Sequence, residues 1–259
     1  MHSIKVDDSL LRTDLIIDQN KRVLSSKTIY KNHLKIDRCM DKNYSYSTIH
    51  FKDITDKNDY LNLEKCFLIE LKRILSPRKN DIYLIIGLGN ENSTPDSLGP
   101  KVLDHILVTR PFYLMKNVDS NYSNVSIFKP NVIGNTGIES ISIIKKIIQE
   151  IKPTKVIVID ALKANDLSRL IKTIQITNSG IHPGSGIFNN RGEISYKTVG
   201  CDVIAIGIPT VVDIHCIANT KDSFIVTPTN IDFVIEELSQ LIGESINLVL
   251  HKNLRQISN

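Results

Sequence analysis

A three-layer α/β/α fold around a mostly parallel sheet is what this sequence predicts, from three observations. From about residue 81 onward, short β-branched runs alternate with amphipathic stretches, the pattern of strands joined by crossover helices. The runs at Ile82–Ile86 and Lys155–Ile159 lack the polar alternation of a half-exposed strand and read as buried on both faces. The third observation is the stretch Tyr83–Pro100, which couples a strand to a glycine turn and a helix start. In it Gly87 and Gly89 permit a sharp turn, Thr94 stands at an N-cap position, Pro95 at the first helical position and Asp96 in the first turn. Open α/β sheets build sites at the carboxyl ends of their strands in this way.

The elements follow in order. Residues 1 to about 35 are polar and irregular and read as an arm, with Leu11–Asp18 as a small edge strand. Asn43–Phe51 alternates and is rich in Tyr and Thr, which predicts a strand. Apolar residues at helical spacing predict a helix over Tyr60–Ser76, stopped by Pro77. After the strand Ile82–Ile86, a helix is expected from Pro95 to Val108, then a strand at Val125–Phe128. Gly134–Gly137 is a turn from which Thr136 caps a helix running to Lys152, with an isoleucine stripe at 138, 141, 144, 147, 148 and 151. Strands are expected at Lys155–Ile159, Lys172–Ile176 and Asp202–Ile206, and a closing helix at Pro228–His251 capped by Thr227.

Bulk properties exclude several classes. The 259 residues suffice for one α/β domain, here an N-terminal elaboration over 15–80 and a core over 81–259. A formal charge of +4 is slight and forms no stripe for nucleic acid, so no direct nucleic-acid partner is expected. Four cysteines, at 39, 66, 201 and 216, show no CxxC spacing, which fits reduced thiols and neither a zinc ribbon nor a disulfide framework. No signal-like apolar region and no run of about 18 apolar residues occurs, so a soluble cytoplasmic chain without a membrane partner is expected.

Asp96 and Asp160 are the sharpest candidates for chemistry. Each follows a hydrophobic strand, so a parallel sheet puts both carboxylates at one rim. Two carboxylates held close do not ionise equally: one activates water while the other keeps a proton to donate, the equipment for amide hydrolysis. Each aspartate alone is equally a common cap residue. Gly87-Leu-Gly-Asn opens like a dinucleotide fingerprint, but Asn92 stands where the third glycine belongs, so no nucleotide cofactor is expected. His182, in the loop Asn178–Gly186, is available as a general base or as part of a lining that holds an oxyanion. Asp213 and Glu139 read as caps. His215 and Cys216 are adjacent and point different ways, so no metal site is expected there.

The strings Gly87–Pro100, Val108-Thr-Arg, Ile159-Asp-Ala-Leu, Thr173-Ile-Gln-Ile, Gly180–Gly186 and Ile204–Asp213, in that order, closely resemble the germination proteases of spore-forming Firmicutes. Val226-Thr-Pro, Ile231-Asp-Phe and His251 are similar to that family's last helix. The resemblance implies a fold like that of hydrogenase maturation proteases and a cytoplasmic, homotetrameric endopeptidase of the spore core. Its substrates would be small acid-soluble spore proteins, cleaved by an atypical aspartic mechanism without metal or other cofactor. The family's two proposed catalytic aspartates map onto Asp96 and Asp160. Gly87, Gly89, Asn90, His182, Gly184 and Ser185 would line the substrate or its oxyanion. The family is made as a zymogen, and Arg12-Thr-Asp-Leu is similar to its processing site, so residues 1–14 read as a propeptide cleaved between Asp14 and Leu15. The chain departs from the family at Pro111, at Lys163–Asn165 and in a short segment between Asp213 and Val226. A metal-dependent hydrogenase-maturation-type endopeptidase and a catalytically silent relative that binds spore proteins stand as alternatives.

Overall fold

A computed structural model of the chain describes residues 25–41, 43–117, 119–183, 192–252 and 254. The strands are β1 (Ser25–Lys31), β2 (Leu34–Asp41), β3 (Tyr44–His50), β4 (Ile82–Gly87), β5 (Asn124–Phe128), β6 (Lys155–Ala164), β7 (Thr173–Thr177), β8 (Asp202–Asp213) and β9 (Ile225–Val226). The helices are α1 (Lys57–Leu75), α2 (Leu98–Asp104), α3 (Arg110–Leu114), α4 (Ile133–Thr136), α5 (Ser140–Ile151), α6 (Tyr196–Val199) and α7 (Ile231–Leu250).

One sheet carries the order β1-β2-β3-β7-β8-β6-β4-β5, with β9 beside β8. Strands β5, β4, β6 and β8 run parallel. The pairings of β1, β2, β3, β7 and β9 are antiparallel. The expected parallel sheet therefore holds for the four-strand core, while the sheet as a whole is mixed. The period-two geometry of a strand divides the core residues between two layers. Ile157 and Ile159 of β6, with Tyr83 and Ile85 of β4, pack under α1, α2 and α7. Val156 and Val158, with Leu84 and Ile86, pack under Ile141, Ile144 and Ile148 of α5. Both faces are covered, which is why these strands read as unbroken apolar runs.

Several boundaries differ from expectation for identifiable reasons. The arm contains the hairpin β1–β2, turned by Asn32 (φ +46°) and His33 (φ +62°), both left-handed without a glycine to advertise it. The helix expected over Pro95–Val108 is a 3-10 turn, Thr94–Asp96, followed by α2. Pro100 has no N–H to donate to the Asp96 carbonyl, so the α-helical ladder is interrupted there. Asn247 of α7 ends α2: its Nδ2 donates to the His105 carbonyl at 2.7 Å and its Oδ1 accepts from the Leu107 N–H at 2.9 Å. Thr136 does not cap α5. It belongs to α4, which Gly137 closes at φ +69°, and Glu139 occupies the N-cap position. α7 starts at Ile231, three residues after Pro228, whose carbonyl accepts the Ile231 N–H. The strands ending the core are longer than their apolar runs: β6 reaches Ala164 and β8 reaches Asp213. The expected edge strand Leu11–Asp18 and residues 1–14 lie outside the described residues.

Candidate functional site

The rim at the carboxyl ends of β4, β6 and β8 is built around the three residues Leu88–Asn90. The Leu88 N–H donates to the Ile159 carbonyl at 2.9 Å, which ties the end of β4 to the residue preceding Asp160. Two residues on, the Asn90 N–H donates to the Asp96 carbonyl at 3.1 Å and to Asp96 Oδ2 at 2.9 Å. The carbonyl is available because Pro100 cannot use it. One short turn thus bonds Asp96 at its far end and, at its near end, Ile159, the residue before Asp160. Asp160 is buried, at 6% exposure, and Asp96 is partly exposed. Gly89 makes the approach possible: its φ is +111°, and a Cβ there would lie 2.0 Å from the Asp96 carbonyl oxygen and 3.1 Å from Oδ1. Gly87 serves packing, since a Cβ on it would lie 2.3 Å from the carbonyl oxygen of Gly99 in α2.

The turn that carries Asp96 is latched from the far side of the sheet core. Thr210 of β8 is 1% exposed, and its Oγ1 donates to the Pro95 carbonyl at 2.6 Å. The Thr210 carbonyl accepts in turn from Thr227 Oγ1 at 2.8 Å, linking the latch to the approach into α7. On the other flank, Asn90 Oδ1 accepts from its own turn, the Asn92 N–H at 3.0 Å, and from Asn135 Nδ2 of α4 at 3.1 Å. Thr210 and Asn135 are site-building residues the sequence reading did not name, and Thr227, read there as the cap of the last helix, bonds Thr210 while Asn230 takes the N-cap position of α7. For Thr210 a signal existed: a hydroxyl within the apolar run of β8 needs an internal partner.

The remaining expected residues divide. His182 follows Ile181, which is bonded to Ile194 in both directions at 2.9 Å and packs with Leu162 in the α5 layer. Gly184, Ser185, Asp14 and Leu15 lie outside the described residues. Asp213 caps the 3-10 turn Ile214–Cys216 through the His215 N–H, as read, and also pairs with Lys163 Nζ at 3.1 Å. These bonds hold its carboxyl well below the ordinary carboxylate range, the His215 backbone N–H first among them. Glu139 stands at the N-cap of α5 without a side-chain cap bond. Its Oε1 instead accepts from the Gly192 N–H at 3.0 Å, tying the segment before Ile194 to α5. Among the described residues no cluster of three or more His, Cys, Asp or Glu is arranged to hold a metal ion, and no helix is long and apolar enough to cross a membrane.

Comparisons with known proteins place the chain in a family. The germination protease model matches residues 12–225. A germination protease of Clostridium acetobutylicum is 36% identical over 267 aligned positions, covering 84% of this chain and 82% of that protein. One from Bacillus subtilis is 35% identical over 252, covering 86% and 68%. A Geobacillus relative is 40% identical over 207, and there the match spans 77% of this chain and 53% of the relative's length. Among solved structures, a NiFe hydrogenase maturation protease, HycI, from Thermococcus kodakarensis aligns with 68% of this chain and 98% of its own at 17% identity. The TM-score of 0.40 is too low to carry any statement about this chain. The matched region contains Asp96, Asp160 and the turn between them, and the chain belongs to the germination protease family.

Proposed function

We propose that this chain is an endopeptidase that opens the degradation of small acid-soluble spore proteins at germination, with Asp96 and Asp160 sharing the work on one water. The observation that carries the reading is that Leu88–Asn90, at the carboxyl rim of the parallel core, bonds Asp96 at one end and the carbonyl of Ile159, next to Asp160, at the other. One carboxylate takes a proton from water as its oxygen attacks the scissile carbonyl. The other carboxyl gives its proton to the departing amide nitrogen as the C–N bond breaks. The proton has moved from one carboxyl to the other, and exchange with solvent restores the pair. Backbone N–H groups of the glycine turns, with His182 and the Gly184–Ser185 loop, are assigned to the oxyanion and substrate lining.

In the same reading the protein needs no metal, works in the cytoplasm of the spore core and assembles as a homotetramer. It is made as a zymogen cut between Asp14 and Leu15. The test is to incubate the full chain, and a form starting at Leu15, with a small acid-soluble spore protein in the presence of chelator, and to identify fragments by mass spectrometry. Cleavage on the carboxyl side of acidic residues is expected. Cleavage only when metal is restored points to the metal-dependent alternative, and binding without cleavage by either form to the silent one.

A further inference from the structure

We infer that an extended segment of the substrate docks by its backbone on β6 at Ala161, completing a ladder that the protein itself breaks off. The inference rests on the peptidase reading above and adds to it how the substrate is held. β4 and β6 pair in parallel from Tyr83 and Lys155 to Gly87 and Ile159, and the last bond between them is Leu88 N–H to the Ile159 carbonyl. β6 continues past that point beside β8, to Ala164. Successive residues of a strand turn their N–H and C=O groups to alternate sides. Ile159 faces β4, Asp160 therefore faces β8, and Ala161 again faces the side that β4 has left.

In an uninterrupted parallel ladder the Ala161 N–H would donate to the Leu88 carbonyl, and the Asn90 N–H would donate to the Ala161 carbonyl. Among the described residues neither bond forms, and the Asn90 N–H is turned onto Asp96 instead. The feature that fixes Asp96 is thus also the one that opens the edge. Ala161 is partly exposed, and the β-bulge between Leu162 and Lys163 ends the regular alternation, so the open edge is one residue long. One donor and one acceptor on the same residue are what an extended peptide needs to form a two-bond bridge.

The occupant is polypeptide because the groups on offer are a backbone donor and acceptor spaced for another backbone. They lie beside Asp160 on the strand and face the turn tied to Asp96. A segment bridged to Ala161 runs past both carboxylates in the extended form that exposes its amide bonds. Strand addition draws affinity from the main chain and only secondarily from side chains. That suits a protein substrate that is disordered when free.

Two measurements test the inference. Ala161→Pro removes the outward N–H and leaves the bonds to β8, which belong to Asp160 and Leu162. Proline is tolerated at such an edge position. With melting unchanged, KM for spore-protein cleavage should rise roughly five- to tenfold for the lost bond. The second measurement does not depend on a variant folding. Single N-methyl groups are walked along a peptide of residues 10–18, and its binding and cleavage by the full chain are followed. N-methylation should weaken binding at alternate positions, and Ala161→Pro should abolish the effect at one of them. Binding that ignores N-methylation, loss without alternation, a peptide neither bound nor cleaved, or an Ala161→Pro enzyme with wild-type KM overturns the docking. Alternation that survives in an Asp160→Asn chain separates the docking from the two-aspartate chemistry, since it is read from binding alone.

Discussion

Replacing Thr210 by valine tests the link between the fold and the site with the least disturbance of either. Valine keeps the shape and β-branching of threonine and deletes one donor, the hydroxyl that reaches the Pro95 carbonyl at 2.6 Å. The residue is 1% exposed, so water does not readily replace the lost bond. An unsatisfied buried acceptor costs about 1–3 kcal/mol. At this chain length each kcal/mol lowers the melting temperature by about 2–4 °C, so a fall of roughly 2–12 °C is expected. Activity should suffer more than stability, because Pro95 and Asp96 are consecutive and the 3-10 turn is short. A shift of about 1 Å at a catalytic group costs on the order of 100-fold in rate. Thermal melts followed by circular dichroism and cleavage kinetics on the folded protein read the two effects separately, and Thr210→Ser should recover both. A Thr210→Val protein that melts and cleaves like wild type refutes the latch.

Other outcomes follow from the same contacts. Gly89→Ala puts a methyl 2.0 Å from the Asp96 carbonyl oxygen at a φ of +111°, so stability should fall by about 1–3 kcal/mol and cleavage nearly vanish, as melts and initial rates on one preparation will read. Glu70 is buried in α1 and accepts from Arg38 Nε at 3.1 Å, Ser47 Oγ at 2.8 Å and Arg73 Nη2 at 3.0 Å. Because both arginines reach solvent, Glu70→Gln should cost about 2–4 kcal/mol in urea unfolding, somewhat below the loss of a fully buried pair. Burial alone would raise the Glu70 carboxyl, but Arg38, Ser47 and Arg73 outweigh it and hold it below its ordinary 4.5, so its stabilisation is complete above that pH and is lost as pH falls through the lowered value. For His251 burial itself is the lowering cause and holds the ring below 6.5, and its Nδ1 accepts the Ser123 N–H at 3.2 Å, which requires that nitrogen unprotonated. The unfolded chain then binds the extra proton first, so melting temperature should drop as pH falls below about 6.5, and His251→Gln should flatten that slope.

Legibility in the sequence followed the strength of local signals. Apolar β-branched runs identified β4, β6 and β8, because two-sided burial favours unbroken apolar residues, while β5 and β7 bury Ser126, Thr173, Gln175 and Thr177 among their apolar residues. The isoleucine stripe of α5 and the Asn–Tyr–Thr alternation of β3 were equally direct. The hairpin β1–β2 was hidden because Asn32 and His33 supply the left-handed turn without glycine, and because its strands mix Lys, Arg and Asp into the alternation. The break in the helix after Asp96 depended on a proline four residues on, and the end of α2 at Asp104 on an asparagine of α7; only the first is local. At the site, the apolar runs Ile82–Ile86 and Lys155–Ile159 pointed toward Asp96 and Asp160, of which Asp160 lies within β6 and Asp96 in the 3-10 turn beyond Gly89. The latch through Thr210 and Thr227 and the brace from Asn135 join segments far apart in sequence, so periodicity could not reveal them. The open edge at Ala161 depends on where one N–H turns, which no composition encodes.

The most direct measurement compares Asp96→Asn, Asp160→Asn and the double variant for cleavage of a small acid-soluble spore protein in chelator, each checked for a wild-type melt. Groups that act as one unit are grossly non-additive when removed. The two-aspartate account predicts that each single variant loses at least about 1000-fold and that the double variant loses little more. A single variant that keeps wild-type rate, or losses that simply multiply in the double, contradicts it.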